Sequence, residues 1–376
     1  TAFLSLPKFL RIMATQLQGA NTKQAASATR KRIIYQSEAL FAGSSAAPVN
    51  IQRVQSANYA FTVPRVDVNQ YGQLGQIERL IVEVPTVSLD FSYSLAGTVN
   101  EKQLFGTTSA NSSGTHGIMK NINDTTATEK QYYQIALADE GKDYLGLGTG
   151  SNKSIIIPDG FMTSASWTAA VGDIPTSTIN VESTKMQMGS ATAGTGSKET
   201  ATTPRVLRPG NITFVANSTG GYLGSTGDNK LPALGVDVLH VQSFTVSLDM
   251  PRESIQRLGD TFEFARLINF PLTATMSLEA IVSSQAADNL EEIVGDGAST
   301  SVDPGFDVDI KLGREGASGV NGMNLRFKDA KVDGHSFSSS IGANKSVTLD
   351  FTTIVDSGET AYGSGTKGFW IQEVTA

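Results

Sequence analysis

The sequence predicts a mainly β protein of antiparallel strands with few and short helices. Three observations predict this class. Large apolar residues alternate with small or polar ones in many short stretches, no long segment has a period of 3.6 residues, and Gly, Ser, Thr and Asn separate the stretches. Period-two alternation gives a strand one buried face and one solvated face, which is typical of antiparallel sheets packed as β-sandwiches.

The clearest strand is predicted at residues 87–95, where Val, Leu, Phe, Tyr and Leu alternate with small or polar residues over nine positions. The same rhythm predicts further strands along most of the chain. They lie at residues 59–63, 244–250, 272–281, 306–312, 324–328 and 346–351. Strands are therefore expected in both the first and the second part of the sequence.

The chain contains an internal repeat. Residues 54–94 align with residues 241–281 at a constant offset of 187 positions, without a gap and with ten identities over 41 positions. The identical residues of the first copy are Val54, Gln55, Ser56, Pro64, Arg65, Gly72, Arg79, Leu80, Ile81 and Thr86. The phase of the apolar alternation coincides as well. The repeat predicts one folding unit that is used twice.

Each copy is expected to run from a strand through a Pro-Arg corner into a short segment that ends at Gly. In the second copy, residues 252–259 suit a helix of one to two turns with Gly as its stop signal. We expect Arg65 and Arg252 either to bind an acidic group on a neighbouring subunit or to act as local caps or surface charges. The candidate subunit-interface residues are Pro64, Arg65, Gly72, Pro251, Arg252 and Gly259.

The repeat and the shifts in composition predict a domain organisation. The expected parts are an N-terminal arm at 1–32, a first β domain at 33–157 with an insertion at about 97–154, and a second β domain at 158–376 with a mobile loop at 185–204. The insertion is rich in Gly, Ser, Thr and Asn, and the loop consists almost entirely of small and polar residues.

The composition excludes several classes of protein. Charged residues make up 17% of the 376 residues, the net charge is −7, and no compact basic domain that would favour tight DNA binding is found. The absence of cysteine excludes disulfides, a Cys-based zinc site and a Cys nucleophile. No apolar stretch approaches the roughly 20 residues of a membrane helix. We therefore expect no membrane contact.

No pattern of residues predicts catalysis or a cofactor. The histidines of the chain are His116, His240 and His335, and none is followed by a metal-ligating residue two or four positions further along the chain. Asp307 and Asp309 alternate on a predicted strand, where solvent-facing charge is favoured over a Ca²⁺ site. The Gly-rich stretch at 146–153 lacks the Gly-Lys-Ser/Thr ending of a phosphate loop. We expect no enzyme activity, no metal and no cofactor.

Three stretches of the chain resemble the tail tube proteins of bacteriophages with contractile or long flexible tails. The first is residues 166–182, where Gly172-Asp-Ile-Pro-Thr176 separates two predicted strands. The others are residues 241–259 and residues 270–281. In order and spacing they cover roughly residues 160–360, and residues 50–95 resemble a second copy of the same core. Family members are commonly shorter and have a single domain.

The resemblance implies a structural virion protein that is assembled in the host cytoplasm and stacks as rings into a tail tube for genome delivery. Single-domain members form hexameric rings, so two fused copies imply a homotrimeric ring with pseudo-sixfold symmetry. The implied partners are further copies of the chain, other tail proteins such as sheath, terminator and baseplate, and DNA that passes non-specifically. Asp90, Asp249 and Asp350 are candidates for the lumen or an interface.

Two other interpretations remain open at this point. One is a different tail component, such as a terminator or baseplate protein. The other is a carbohydrate-binding or adhesive β-sandwich whose segments 97–154 and 185–204 act as recognition loops. Duplication favours the tube protein, because a repeated unit suits a closed ring.

Overall fold

The structure is a computed structural model that describes much of the chain from residue 37 to residue 374. The described residues are 37–95, 97–105, 115–116, 130–138, 143–145, 153–190, 212–218, 239–260, 263, 265–282, 306–312, 322–338, 344–355 and 368–374. The predicted N-terminal arm at 1–32 lies outside them. We call residues 37–190 the first half and residues 212–374 the second half.

Strands dominate both halves, and the described residues contain one helix, α1 (Val99–Phe105). The strands of the first half are β1 (Glu38–Gly43), β2 (Pro48–Asn50), β3 (Val54–Thr62), β4 (Arg65–Val68), β5 (Glu78–Ile81), β6 (Thr86–Ser94), β7 (Thr115–His116), β8 (Gln131–Leu137), β9 (Lys153–Ala170), β10 (Thr176–Ser183) and β11 (Gln187–Ser190). Those of the second half are β12 (Ile212–Ser218), β13 (Leu239–Asp249), β14 (Arg252–Ile255), β15 (Ala265–Ile268), β16 (Leu272–Val282), β17 (Phe306–Leu312), β18 (Gly322–Ser338), β19 (Ser346–Val355) and β20 (Gly368–Val374).

The predicted fold class is confirmed, since the protein is mainly β and every strand pair is antiparallel among the described residues. Within the described part of the chain, sixteen strands form one large sheet, whose main path runs β12-β17-β18-β19-β16-β13-β9-β10-β6-β3. Two small hairpins, β4–β5 and β14–β15, stand outside this sheet. Each predicted strand coincides with an observed strand or lies largely within one.

The repeat predicted from the sequence is present as a repeat of strand pairing. β3 faces β6 as β13 faces β16: Val54 lies opposite Tyr93, and Val241 lies opposite Ala280, at the same offset of 187. The register shifts directly after Val54 and directly after Val241. The hairpins β4–β5 and β14–β15 also pair in the same register.

The pairing repeat extends well beyond the 41 aligned residues. Strands β1, β8, β9, β10 and β11 of the first half correspond by their partners to β12, β17, β18, β19 and β20 of the second. β9 and β18 match at an offset of 170, and the shifts in their pairing register occur at equivalent residues. Thr163 is skipped in the pairing of β9 with β10, and Asp333 is skipped in the pairing of β18 with β19.

The two longest strands connect different parts of the sheet. β9 has 18 residues; its first part pairs with β8 and β11, and its second part pairs with β10 and β13. β18 has 17 residues; its first part pairs with β17 and β20, and its second part pairs with β19. Each long strand therefore carries the sheet around a shared apolar core, which contains residues of both halves.

The expected division into two tandem domains is not confirmed. Strands of both halves belong to one sheet, and the predicted boundary between residues 157 and 158 falls inside β9. One core cluster joins residues from both halves. The physical reason is that β13 pairs directly with β9, so the backbone hydrogen bonds of the sheet continue from one half into the other.

The segment 97–154, expected as an insertion, contains parts of the core. β8 pairs with both β1 and β9, and Leu104 and Phe105 of α1 are buried. The side chain of Asn100 fixes the start of α1, because it accepts a hydrogen bond from the Gln52 backbone N–H at 2.8 Å and donates to the Gln52 carbonyl at 2.9 Å. In the expected loop 185–204, residues 187–190 form β11, and residues 191–204 lie outside the described residues.

The helix expected at residues 252–259 is wrong. Residues 252–255 form β14, and the chain turns back into β15. Gly259 has φ of 96° and its counterpart Gly72 has φ of 88°, so both lie in the left-handed region that favours glycine. Each glycine therefore belongs to the turn between two short strands and does not stop a helix.

At Gly160, β9 lies close to a buried aromatic ring. A Cβ atom at Gly160 would lie 2.6 Å from Cδ2 of the buried Tyr133 and 2.9 Å from Cγ1 of Val181. In the second half, Ala330 takes the place of Gly160, and Val308, which is smaller, takes the place of Tyr133. Tyr133 thus occupies space that the absent side chain leaves open.

We predict that Gly160→Ala lowers the free energy of unfolding by about 1–3 kcal/mol, because an added methyl group overpacks the core. Urea denaturation of the purified protein measures the change. Gly189→Ala is the matched control, since a Cβ there meets Cδ1 of Ile156 at an ordinary 3.6 Å. Equal stability of Gly160→Ala and the parent protein would contradict the close approach.

Candidate assembly interface

The two halves of the chain meet edge to edge at β13 and the second part of β9. Seven facing pairs run from Ser243 opposite Ala170 to Asp249 opposite Ser164. At the centre, Val246 lies opposite Trp167, and both side chains are fully buried. We call this contact the internal joint. It is a contact between two copies of one repeated unit.

Two arginines from the hairpin β14–β15 reinforce the internal joint. Nε of Arg252 donates to the carbonyl of Met162 at 3.1 Å, and its guanidinium lies 5.3 Å from the ring centre of Phe161. The guanidinium of Arg266 lies 5.6 Å from the same ring and binds Glu182 at 2.8 Å. Cations over aromatic faces and charge-assisted hydrogen bonds are favourable contacts of this kind. Together they attach the base of the hairpin to the first half.

The candidate interface residues of the first copy and those of the second copy lie in different surroundings. Arg252 lies at the internal joint, where it contacts a backbone carbonyl and an aromatic ring of the first half. Pro251 precedes it, and its carbonyl accepts a hydrogen bond from the Asn269 N–H at 2.9 Å. In the first half, Arg65 is exposed and Pro64 is half-buried. Sequence reasoning missed Arg79 and Arg266, although both belong to an identical Arg-Leu-Ile run of the repeat.

Several edges of the large sheet pair with no other strand among the described residues, and two of these open edges are related to the internal joint. One is the outer edge of β3, which ends the main path of the sheet. The other is the side of β18 from residue 331 to residue 338 that points away from β19. In the repeat, β3 corresponds to β13, and this part of β18 corresponds to the second part of β9. β13 and β9 are the two strands that pair at the internal joint. Open strand edges invite pairing with another chain.

Both hairpin tips expose a large apolar side chain. Tyr71 and Leu258 occupy equivalent positions next to the turn glycines, and both are fully exposed. The hairpin β4–β5 also exposes Val66, Leu80 and Ile81. Contiguous exposed apolar side chains mark surfaces that bind other proteins. The hairpins are therefore candidate docking elements as well.

Eight strands share one face that points away from the core and is lined by small polar side chains. We call it the polar face. Its residues are Ser56, Asn58, Ser88, Asp90, Ser92, Ser164, Ser166, Thr168, Thr178, Asn180, Ser243, Thr245, Ser247, Asp249, Thr275, Ser277, Glu279, Ser336, Ser338, Thr348 and Asp350. None of these residues is Lys or Arg, and Lys331, opposite Thr352, lies at one end of the same face. Asp90, Asp249 and Asp350, the candidates for the lumen or an interface, all lie on this face.

Hydrogen bonds between neighbouring strands link the side chains of the polar face. Nδ2 of Asn58 donates to Asp90 at 2.8 Å, and the hydroxyl of Ser277 donates to Asp350 at 2.6 Å. Cross-strand pairs of this kind stabilise a sheet and hold its side chains in fixed orientations. The face is thus an ordered hydroxyl, amide and carboxylate surface with negative charge.

Helix α1 carries a buried carboxyl group, which points into the core. Oε1 of Glu101 accepts a hydrogen bond from the Tyr93 hydroxyl at 2.9 Å, and both side chains are fully buried. Burial raises the pKa of Glu101 from 4.5 to about 7, because desolvation disfavours the charged form. Burial and the neighbouring Glu101 also raise the pKa of Tyr93. The carboxyl supports the core and lies on no exposed surface.

The described residues form no group of three or more His, Cys, Asp or Glu side chains that could hold a metal ion. The three histidines lie on three different strands: β7, β13 and β18. Asp309 forms an ion pair with Arg326 at 3.2 Å. Within the described part of the chain, no helix is long and apolar enough to cross a membrane.

Comparison with models of known protein families gives no match for this chain, and comparison with curated protein sequences gives none either. The likeness of residues 166–182, 241–259 and 270–281 to tail tube proteins therefore stays a resemblance of short motifs. In the structure, residues 171–175 connect β9 and β10, and Gly172 has φ of 91°, as a tight turn between strands requires. In the described structure, the edges of β13 and β9 are joined, and the corresponding edges of β3 and β18 are open.

We predict that Glu101→Gln flattens the pH dependence of stability. The folded pKa exceeds the unfolded value, so the parent protein should lose stability as the pH rises from about 4.5 to about 7, by on the order of 3 kcal/mol. Gln keeps an acceptor for Tyr93 but carries no proton equilibrium. Chemical denaturation at pH 4.5 and pH 8 tests this. The exposed Glu78→Gln variant should behave like the parent, and an equal slope for Glu101→Gln would contradict the prediction.

We predict that Tyr71→Ser combined with Leu258→Ser leaves the unfolding free energy within about 0.5 kcal/mol of the parent, because both side chains are fully exposed. Self-association should nevertheless fall at least tenfold, measured by sedimentation velocity over a range of concentrations. The substitutions Gln70→Ser and Gln256→Ser alter polar residues of the same hairpin segments and serve as controls. Unchanged association of the double Ser variant would show that the tips are not docking elements.

Proposed function

We propose that this protein is a structural subunit that associates head to tail into a closed ring, and that stacked rings form a bacteriophage tail tube. The observation that carries the proposal is the internal joint, together with the two corresponding edges that no described strand occupies. A contact between two different surfaces can repeat from copy to copy, and it closes into a ring when the rotation per copy divides a full turn.

The number of strands supports a wide channel. Each chain supplies a run of eight neighbouring strands, β18-β19-β16-β13-β9-β10-β6-β3. A homotrimer would contribute 24 strands. At about 4.8 Å per strand, the circumference is at least about 115 Å and the diameter about 37 Å between backbones. Small side chains such as Ser and Thr would leave a bore wider than a DNA duplex.

The chemistry of the polar face supports passage of DNA without tight binding. Phosphates bind mainly to Lys and Arg, and among the described residues of the eight strands the polar face carries one of them, Lys331, at one end of β18, where it pairs with Asp329 at 3.6 Å. Its carboxylates, such as Asp90 and Asp350, repel a polyanion, while its hydroxyl groups keep the surface hydrated. A channel wall of this kind would guide DNA and would not hold it.

The proposal includes the partners and the location implied by the resemblance. Neighbouring copies would bind through the sheet edges, and the exposed hairpins β4–β5 and β14–β15 would contact neighbouring or stacked subunits. Sheath, terminator and baseplate proteins are the further proposed partners, and the virion tail is the proposed location. No catalytic activity or cofactor forms part of this function.

Electron microscopy of the purified full-length protein tests the proposal. We expect rings or tubes with a central pore, and particles of about three times the 39.7 kDa chain mass by mass photometry. Class averages should show near-sixfold symmetry with a weaker threefold modulation. A monodisperse monomer at all concentrations, above all one that binds glycans, would contradict the proposal and favour an adhesive β-sandwich.

A further inference from the structure

The internal joint gives a residue-level description of the contact that a second copy would make. In the first half, β3 is the counterpart of β13 at an offset of 187 residues. In the second half, β18 is the counterpart of β9 at an offset of 170. β13 and β9 pair inside the chain. β3 and the second part of β18 lie at separate places along the sheet, and no described strand joins them.

We infer that β3 of one copy pairs antiparallel with residues 334–338 of β18 in the next copy, in the register of the internal joint. Thr245 lies opposite Thr168 in the internal joint, so Asn58 should lie opposite Ser338. One position further, Tyr59 should lie opposite Phe337. This inference rests on the proposed ring function and specifies how its subunits join.

The burial of side chains supports this register. Tyr59, Phe61 and Phe337 lie on the core side of the sheet, where their neighbours Leu89, Val87 and Val347 are buried. Yet the three aromatic residues are 38%, 47% and 37% exposed, respectively. Their counterparts at the internal joint are Val246, Leu248 and Trp167, all at 0%. Pairing with a second copy would place the three aromatic side chains in one contiguous cluster and complete the core at the edge.

The arginines of the repeat support the same contact. Arg252 donates to the Met162 carbonyl at the internal joint, so Arg65 should donate to the Val332 carbonyl of the next copy. Without a neighbour, Arg65 is exposed.

The second arginine contact should be repeated with a different acidic residue. Arg79 is the counterpart of Arg266, and Thr352 takes the place of Glu182. The Thr352 hydroxyl binds the carboxylate of Asp333, which therefore supplies an acidic partner near the same place. Lys331 takes the place of Phe161, so the cation–ring contact is not repeated.

Disulfide trapping tests the register directly, because the chain contains no cysteine. Facing residues of antiparallel strands have Cα atoms about 4.5–5.5 Å apart, within the range of a disulfide. The test variant combines Asn58→Cys with Ser338→Cys, two exposed positions on the polar face. We expect covalent dimers and trimers on non-reducing gels after mild oxidation, at least tenfold more than for the mismatched control.

Two control variants make the result specific. The mismatched control combines Thr62→Cys with Ser338→Cys, which the inferred register separates by four residues, about 13 Å. The positive control combines Thr168→Cys with Thr245→Cys and should form an intramolecular disulfide, because these residues face each other at the internal joint. Thermal melts confirm that each reduced variant folds like the parent. The charge-introducing variant Phe61→Asp should weaken association at least tenfold without cross-linking chemistry.

The outcomes separate this inference from the proposed function. Rings without the Asn58→Cys/Ser338→Cys cross-link, or with equal cross-linking of the mismatched control, would overturn the register and leave the ring function standing. Specific cross-links without closed rings or tubes would support the register and contradict the tube function. The absence of both would contradict both.

Discussion

Backbone N–H and C=O groups at a strand edge need hydrogen-bond partners, and this requirement governs how the two copies of the unit are joined. At the internal joint the requirement is met inside the chain, because β13 lies along the second part of β9. The burial of Trp167 and Val246 and the contacts of Arg252 with Met162 and Phe161 all depend on this alignment. The same requirement remains at β3, and it makes association with another strand favourable.

The two halves differ most where their environments differ. Val246 and Leu248 are aliphatic and buried inside the chain, whereas the equivalent positions at the sheet edge carry Tyr59 and Phe61. Aromatic side chains are enriched at interfaces, because they bury a large area with few rotatable bonds. A similar exchange occurs in the core, where Tyr133 beside Gly160 replaces the smaller pair of Val308 and Ala330. One backbone arrangement thus accepts two sets of side chains that differ in total volume.

Local periodicity predicted most of the fold, because alternation at Val87, Leu89 and Phe91 directly reflects one buried face. The offset of 187 residues also predicted equivalent strands, and the pairing of Val54 and Val241 agrees with it. Long-range features were harder to predict. Nothing in the alternation of β9 indicates that its two parts pair with different strands, so a domain boundary was expected inside it.

The candidate interface was predicted in part, for physical reasons that the individual residues make clear. Arg65 and Arg252 stood out as an identical pair, but the carbonyl of Met162, which Arg252 contacts, lies 90 residues away in the sequence, and the ring of Phe161 lies next to it. Residues 252–259 contain good helix formers, and only the partner strand β15 decides in favour of a hairpin. The open edge of β3 has no sequence signature at all, since an edge is defined by the strand that is missing beside it.

Helix α1 occurs between β6 and β8, and among the described residues the second half has no helix between the corresponding strands β16 and β17. In the proposed ring, a landmark of this kind would recur every 120° rather than every 60°. A sixfold partner placed on such a ring would meet two alternating kinds of site, whereas a threefold partner would meet one. Gene fusion would thereby give a nearly sixfold object a rotational marker that identical single-unit subunits could not provide.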